Sequence, residues 1–328
     1  MHRGDSQVAR ITVTVPARLH LGFFDLNGRL GRRFGSIGLP ITELQTSLNI
    51  ARAARTAVSG PESDRVKEHL DTMAKLLALD GAHEVRVTEV VPAHAGLGSG
   101  TQLALAVAAA VRRLHNYALD VEGDAVKLGR GTRSGIGIGL FERGGLIVDG
   151  GRGKVPRPAP VISRLPFPEA WRVIVILDRE RYGLHGEQEV TTFASLPPMP
   201  DADAAHSCRL VLMKALPALA EHDLLNFGAA IRELQASLGD YFAPVQGGSR
   251  FTSPAVATVL DQLDRAGAHG IGQSSWGPTG FAFASSLEEA SRLAALARQH
   301  SRNRGLDIRV CAGLNRGAEI VAGAELRE

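Results

Sequence analysis

The sequence predicts an α+β fold in two domains, and three observations carry that expectation. Strand-like and helix-like segments alternate without the steady βαβ repeat of a parallel sheet. The 328 residues exceed what a single compact core normally holds. A proline-rich, polar stretch at residues 156–168 reads as the connection between halves, dividing 1–160 from 161–328.

Residues 10–21 alternate apolar and polar side chains, as a half-buried strand does. They lead through a turn at Asn27 and Gly28 to a return strand ending near Ile41. Residues 44–57 read as a further strand. Within 64–79, Val66, Leu70, Met73, Leu76 and Leu77 share one face of an amphipathic helix. Residues 83–91 form a strand that enters a glycine-rich loop at 92–102, followed by a long alanine-rich helix over 101–117. A short helix at 121–128 precedes the most glycine-dense stretch, 129–151. There Phe141 and residues 146–148 suggest a hairpin turning at Arg143, Gly144 and Gly145.

In the second half, residues 171–177 are a buried strand and 178–189 a polar loop. Helices follow at 204–220, 224–238 and 254–266. Residues 270–284 read as a loop and then a strand, before a helix at 287–299 and a strand at 307–310. No internal repeat or low-complexity tract interrupts this order.

The loop PAHAGLGSGTQ is the strongest chemical signal. Gly96, Gly98 and Gly100, with Leu97 between the first two, remove side chains that would hold an anion away from the backbone. The chain then delivers that anion to a helix N-terminus, where unpaired amides and the helix dipole favour negative charge. Ser99, Thr101 and Gln102 add polar groups for a phosphate, and Ser99 also suits a magnesium ion. The same residues suit a tight turn with Ser99 or Thr101 as helix cap. The loop alone leaves both readings standing.

Composition narrows the class. A net charge of +3 comes from scattered basic residues, including the pairs Arg32/Arg33 and Arg112/Arg113, without the basic stripe of a nucleic-acid groove. A small anionic substrate fits that balance. The longest apolar run, residues 103–111, is about nine residues and too short to span a bilayer. The polar N-terminus lacks the apolar core of a signal peptide. Cys208 and Cys311 lack metal-ligand spacing and point to a reducing, cytoplasmic setting, a single long-range disulfide being the alternative. By spacing, His94, His185 and His269 form no metal cluster.

Three separated stretches, PARLHLGFFD, PAHAGLGSGTQ and GIGQSSWGPTGFAF, resemble the three motifs of the GHMP kinase superfamily in their usual order. The resemblance implies a two-domain α+β fold with a phosphate loop between the domains, in a homodimer. RLHLGFFDLNGRLGRRFGSIGL, GRGTRSGIGIGLFERGGLIVDGG, YGLHGEQE and GQSSWGPTGFA further resemble the β-ribofuranosylaminobenzene 5'-phosphate synthase subfamily. That resemblance implies a synthase of tetrahydromethanopterin biosynthesis. Its substrates are phosphoribosyl pyrophosphate and 4-aminobenzoate, or 4-hydroxybenzoate, with release of CO2 and pyrophosphate. No organic cofactor is implied beside Mg2+. Many GHMP kinases carry a lysine in the first motif and an aspartate in a later SGxD motif. Those positions here hold Arg18 and Gly137. Without that aspartate the base for an acceptor hydroxyl is missing, which argues against an ATP-dependent kinase. A kinase, or a catalytically silent binding protein of this fold, is the alternative.

The resemblance also assigns site roles. Asp25 and Arg32 are the leading catalytic candidates, Asp25 for Mg2+ or a cationic ribose and Arg32 for a carboxylate or phosphate. By spacing alone both suit a turn and a solvated hairpin. Arg18 and His20 occupy alternate strand positions and so share a face; both are catalytic candidates for holding phosphate, with a satisfied structural histidine the alternative for His20. Arg133 and Ser134 offer donors to phosphate or belong to a glycine-loop turn, and Glu142 and Asp149 are candidate Mg2+ ligands or exposed hairpin carboxylates. Glu187 and Glu189 either close over the substrate or are solvated. Gln273, Ser274 and Ser275 are expected at the site from the second domain. Trp276 is either packing or a stacking surface for the aromatic substrate.

Overall fold

The computed structural model describes residues 10–155, 157–183, 186–301 and 305–323. Two long antiparallel strands open it, β1 (Arg10–Asp25) and β2 (Gly35–Ala53), paired from Arg10 opposite Ala51 to Asp25 opposite Gly35. The strands expected to end near Ile41 and restart at Leu44 are one. The interruption is a bulge, where the partner jumps from Gln45 to Ile41 between Pro16 and Ala17 and Glu43 takes a φ of 65°.

β2 serves two further neighbours. Near its start Ser36 pairs with Asp149 of β5 (Leu146–Asp149), and later it pairs with β4 (Ala82–Glu89). The sheet is extended by β3 (Ala57–Ser59) on β4, β6 (Val161–Leu165) on β5 and β11 (Glu319–Gly323) on β1. A division at residue 160 therefore cuts across this sheet, because β6 and β11 return to it from the second half. All three are short edge strands with largely exposed faces, so no alternation marks them in the sequence.

The second sheet runs β10 (Leu306–Ala312), β7 (Arg172–Asp178), β9 (Gly280–Ala284) and β8 (His269–Gln273), antiparallel throughout. Val173 and Val175 of β7 join one hydrophobic cluster, Ile174 and Ile176 another, so the uninterrupted apolar run reflects burial on both faces. The loop expected from residue 270 is instead the first strand of a β8–β9 hairpin. Its glycines admit a helix: a β-carbon on Gly272 would stand 2.5 Å from the side chain of Gln235.

Helices α1 (Ser63–Leu76), α2 (Ser99–Leu114) and α4 (Ile136–Arg143) pack with the first sheet, and α3 (Val121–Lys127) packs on α2 and α4. α2 is buried on every side over residues 103–111, which explains its lack of a polar face. α4 replaces the hairpin expected around Phe141. Gly137 and Gly139 serve close packing here and not turns, since β-carbons there would meet Thr101 at 3.0 Å and Val161 at 2.5 Å.

The second half contains α5 (Gly186–Ser195), then α6 (Asp201–Leu210), which continues through a π-helical turn (Val211–Ala215) into α7 (Leu216–Ala220). α8 (Leu224–Phe242), α9 (Pro254–Arg265) and α10 (Leu287–Ser301) complete it. The polar loop expected up to Glu189 thus ends inside α5. One cluster, from Leu19 and Leu21 of β1 to Phe227 of α8 and Phe281 of β9, ties the two sheets together. Cys208 and Cys311 are free thiols.

Candidate active site

β1 carries Arg18 and His20 into the floor of a cleft of about 510 Å³. Two residues apart on one strand, they share a face as their spacing requires. The glycine loop runs over them: the Arg18 amide donates to the Leu97 carbonyl at 3.0 Å, and Gly96 and Gly98 take φ values of 79° and 76°. A β-carbon on Gly96 would lie 2.1 Å from the Ser274 carbonyl oxygen, so only glycine fits between β1 and the β8–β9 hairpin. Ser274 closes that seam. Its hydroxyl donates to the Gly96 carbonyl at 2.8 Å and accepts from the His20 amide at 3.0 Å.

α2 begins here without a side-chain cap and without an acidic residue in its first turn. Its leading amides and its dipole therefore face the cleft uncompensated. Ser99, Gly100 and Thr101 line the opening. Among the described residues, Arg18, Arg65, Arg130 and Arg133 line it as well. Arg18 is the most unusual of these, with Nε and Nη1 both buried and without a hydrogen-bond partner. Burial lowers its pKa to about 10, against the fields of Glu189 and Asp149, so it stays charged at neutral pH. Arg130 Nε is likewise buried without a partner, and burial and then Arg65 lower the pKa of that guanidinium. Arg133 forms an ion pair with Glu189 and lies over the Phe193 ring at 5.6 Å. His20 is buried with neither ring nitrogen hydrogen-bonded; burial, then Arg18, hold it well below 6.5 and keep it neutral.

Several expected residues lie elsewhere. Asp25 does not line the cleft. Its carboxylate accepts from the amides of Asn27 at 3.0 Å and Gly28 at 3.3 Å, the turn role that its spacing allowed. Arg32 is exposed and donates to the carbonyls of Gly150 and Gly151, each at 2.6 Å. Asp149 is fully buried and accepts from Ser36, Ser134, Gly135 and Gly151, while burial raises its pKa. It anchors Ser134 at the cleft wall and has no free face for a metal. Glu142 is exposed on α4, away from the cleft, and Glu187 is exposed on α5. Leu97 is core, and the Gln102 side chain turns to the Gly137 carbonyl at 3.4 Å. Gln273 holds the Thr252 amide at 2.7 Å, and Ser275 lines the cleft with a φ of 54°. His185 lies outside the described residues, among which no group of three or more His, Cys, Asp or Glu side chains is arranged to hold a metal ion.

A chain of this fold with an arginine-lined anion cleft matches known proteins over most of its length. An Archaeoglobus fulgidus protein named β-ribofuranosylphenol 5'-phosphate synthase is 34% identical over 325 residues, covering 94% of this chain and 99% of its own. The chain belongs to the β-ribofuranosylphenol 5'-phosphate synthase family. A Methanocaldococcus jannaschii synthase of the same name is 33% identical, covering 83% of this chain and 88% of its own. Membership in the wider GHMP kinase superfamily follows from matches to the GHMP kinases N-terminal domain at residues 64–140 and to the GHMP kinases C-terminal region at 215–302. Among solved structures, homoserine kinase from Cytophaga hutchinsonii covers 98% of this chain and 100% of its own, at TM-score 0.69 and 17% identity. Mevalonate diphosphate decarboxylase from Staphylococcus aureus gives 0.66 and 14%, covering 95% and 98%. Both share the fold alone. As a member of this synthase family the protein is an enzyme. Among its described residues, no helix is long and apolar enough to cross a membrane.

Sequence reasoning missed Arg65, Arg130 and Thr132 of the cleft, and Phe193 beside it. Arg130 and Thr132 sit in GRGTRSG, whose glycines signalled a turn and drew attention to Arg133 and Ser134 alone. Arg65 carries no local signal; it is one of several charged residues on an amphipathic helix.

Proposed function

We propose that the enzyme condenses phosphoribosyl pyrophosphate with a para-donor benzoate, 4-hydroxybenzoate or 4-aminobenzoate, to a ribofuranosyl arene 5'-phosphate. The observation that carries this reading is the Arg18 guanidinium, two of its nitrogens buried and unpartnered, beside the uncapped N-terminus of α2. Together with Arg65, Arg130 and Arg133 it offers more positive charge than one phosphate needs, as a substrate with a diphosphate and a monophosphate requires. The names of the curated relatives support the ribosyl arene product, and Gly137 supports transfer without a hydroxyl base.

In this reading the arginines and the α2 amides hold the diphosphate and stabilise the charge that develops as it leaves. The bond from ribose C1 to the diphosphate oxygen breaks, and the carboxyl-bearing ring carbon bonds to C1. Loss of CO2 returns the electrons of its bond to the ring, so no oxidant or reductant enters. Glu189, the single carboxylate lining the cleft among the described residues, faces the cationic sugar. The residues fit Mg2+ only as an ion carried on the diphosphate, with Ser99 its protein oxygen. Glu142 and Asp149 are excluded by position and by full hydrogen bonding. Such an ion supplies charge neutralisation to the leaving group.

The superfamily resemblance supports a homodimer, and the two free thiols support work in the cytoplasm, in tetrahydromethanopterin biosynthesis. Incubating the protein with phosphoribosyl pyrophosphate, either benzoate and Mg2+ tests the reading. CO2 and diphosphate release, with a product whose mass and carbon–carbon linkage match the riboside, is expected. No release, with ATP turnover on a metabolite alcohol, overturns it in favour of a kinase. Tight phosphate-ligand binding with no turnover overturns it in favour of a binding protein.

A further inference from the structure

Beside the arginine-lined cleft lies a second, smaller pocket with room for about 20 Å³. That is the space of one water-sized group. His20, Phe23, Glu189, Ser275 and Trp276 line both spaces, so the two share a wall. The wall is aromatic: Trp276 lies 4.3 Å from Phe193 and 4.7 Å from Phe242, ring centre to ring centre. Phe23 packs on His20 at 4.5 Å.

The polar groups behind the pocket are satisfied. Gln235 donates to the Leu21 carbonyl at 2.6 Å and accepts from the Gln273 amide at 2.8 Å. Gln273 in turn donates to Gln246 at 3.2 Å and to the Ser275 carbonyl at 3.1 Å. Two side chains of the shared wall are not satisfied. Trp276 is 3% exposed and His20 1% exposed, yet Trp276 Nε1 and both ring nitrogens of His20 have no hydrogen-bond partner. Buried polar atoms left this way are rare in folded proteins and expensive unless a ligand meets them.

We propose that this pocket receives the para substituent of the aromatic acceptor, with the ring at its mouth against Phe23 and Trp276. The inference rests on the reading of the protein as a benzoate-using synthase. Its geometry follows from the ring: the para substituent and the carboxyl-bearing carbon stand at opposite ends. Seating the first in the smaller pocket turns the second toward the cleft, where the ribose C1 is presented. The chemistry is complementary as well. A neutral imidazole offers one donor and one acceptor, and an indole N–H offers a donor. A hydroxyl or an amino group both donates and accepts, so either completes the pair. A methoxy group is bulkier than either and has no hydrogen to donate.

The protein has two tryptophans, and Trp171 lies in the core against Phe167. The variant W171F therefore leaves Trp276 as the sole tryptophan. Titrating it with 4-hydroxybenzoate, 4-aminobenzoate and 4-methoxybenzoate, with inorganic diphosphate and Mg2+ present, reads the subsite without turnover. Quenching by the first two acids and at least about tenfold weaker quenching by the third is the expected result, one order of magnitude being 1.4 kcal/mol. Calorimetric titration of the unmodified enzyme replaces this arm where W171F does not fold. The variant L238A, which widens the pocket wall, should narrow the gap for 4-methoxybenzoate, a change that mere destabilisation does not produce. Equal binding of all three acids, or the same discrimination in L238A as in the unmodified enzyme, overturns the subsite even where ribosyl transfer is confirmed. Discrimination in the binding arm supports it even where no transfer is seen, which separates its failure from that of the synthase reading. Comparing the two favoured acids also decides between hydroxyl and amine.

Discussion

Gly98 passes so close to Arg18 that a β-carbon on it would sit 3.1 Å from the arginine Nε. The glycine loop thus does two jobs at one position. Its left-handed φ of 76° turns the chain into α2, and its missing side chain leaves the guanidinium open to the cleft. G98A should strain the turn by about 1 kcal/mol and screen Arg18 from its ligand. We expect the KM for phosphoribosyl pyrophosphate to rise by about tenfold, with a fall of only a few degrees in melting temperature. An unchanged KM would remove the loop from the phosphate site.

Arg18 holds a partly buried charge with two buried donors unpaired, so it should serve activity at the expense of stability. Replacing it with Gln is expected to lower kcat/KM by about 10²-fold or more, as loss of a preorganised charge does. Thermal melting should show the apo variant as stable as the parent or more so, because a desolvated charge has been removed. A strongly destabilised variant with near-normal turnover would contradict both expectations.

Asp25 is expected to act through the turn and not through the substrate. Its carboxylate holds the amides of Asn27 and Gly28, a task that an asparagine side-chain carbonyl also performs. D25N should therefore keep turnover within about threefold, while D25A should lose about 1 kcal/mol of stability, as other capping losses do. A fall of about 10²-fold in the D25N rate would return Asp25 to the reacting centre.

Histidine burial sets a pH dependence. His69 is lowered to about 4, by burial, then Arg130, then Arg65. His83 and His115, whose Nε2 atoms lie 2.7 Å apart, are lowered by burial, with Arg52 acting on both and His83 on His115. A histidine whose folded pKa lies below its unfolded value near 6.5 binds protons more readily in the unfolded chain. The stability it confers is complete above about pH 6.5 and declines as the pH falls toward the folded value. Denaturant melts at pH 7.5 and pH 5 should show a loss at the lower pH, and H69Q should reduce that loss. A flat profile in the parent would show that these rings are solvated.

Much of the fold was legible because it rests on local periodicity. The alternation in β1, the apolar stripe of α1 and the two-sided burial of β7 are one-dimensional patterns with direct physical causes. The glycines were the main source of error. Gly137 and Gly139 lie in a stretch read as glycine-rich and hairpin-forming and Gly272 in one read as loop, yet each is small because another element packs on it. A sequence does not distinguish a glycine needed for φ from one needed for space.

The site divides along the same line. Sequence by itself determined the glycine-rich loop at the entry to α2 and the shared face of Arg18 and His20, since each is set by neighbours in the chain; that α2 starts without a side-chain cap is a finding of the structure. Only tertiary structure decided which charges meet there. It brought Arg65 from α1 and Arg130 from the loop after α3 to the cleft and added Glu189 from α5. It turned Asp149 inward to four hydrogen bonds and Asp25 toward its own turn. The reason is physical: a charged side chain is assigned by what desolvates it and what it can reach. Both depend on segments far away in the sequence, as Ser274 shows in joining His20 to Gly96.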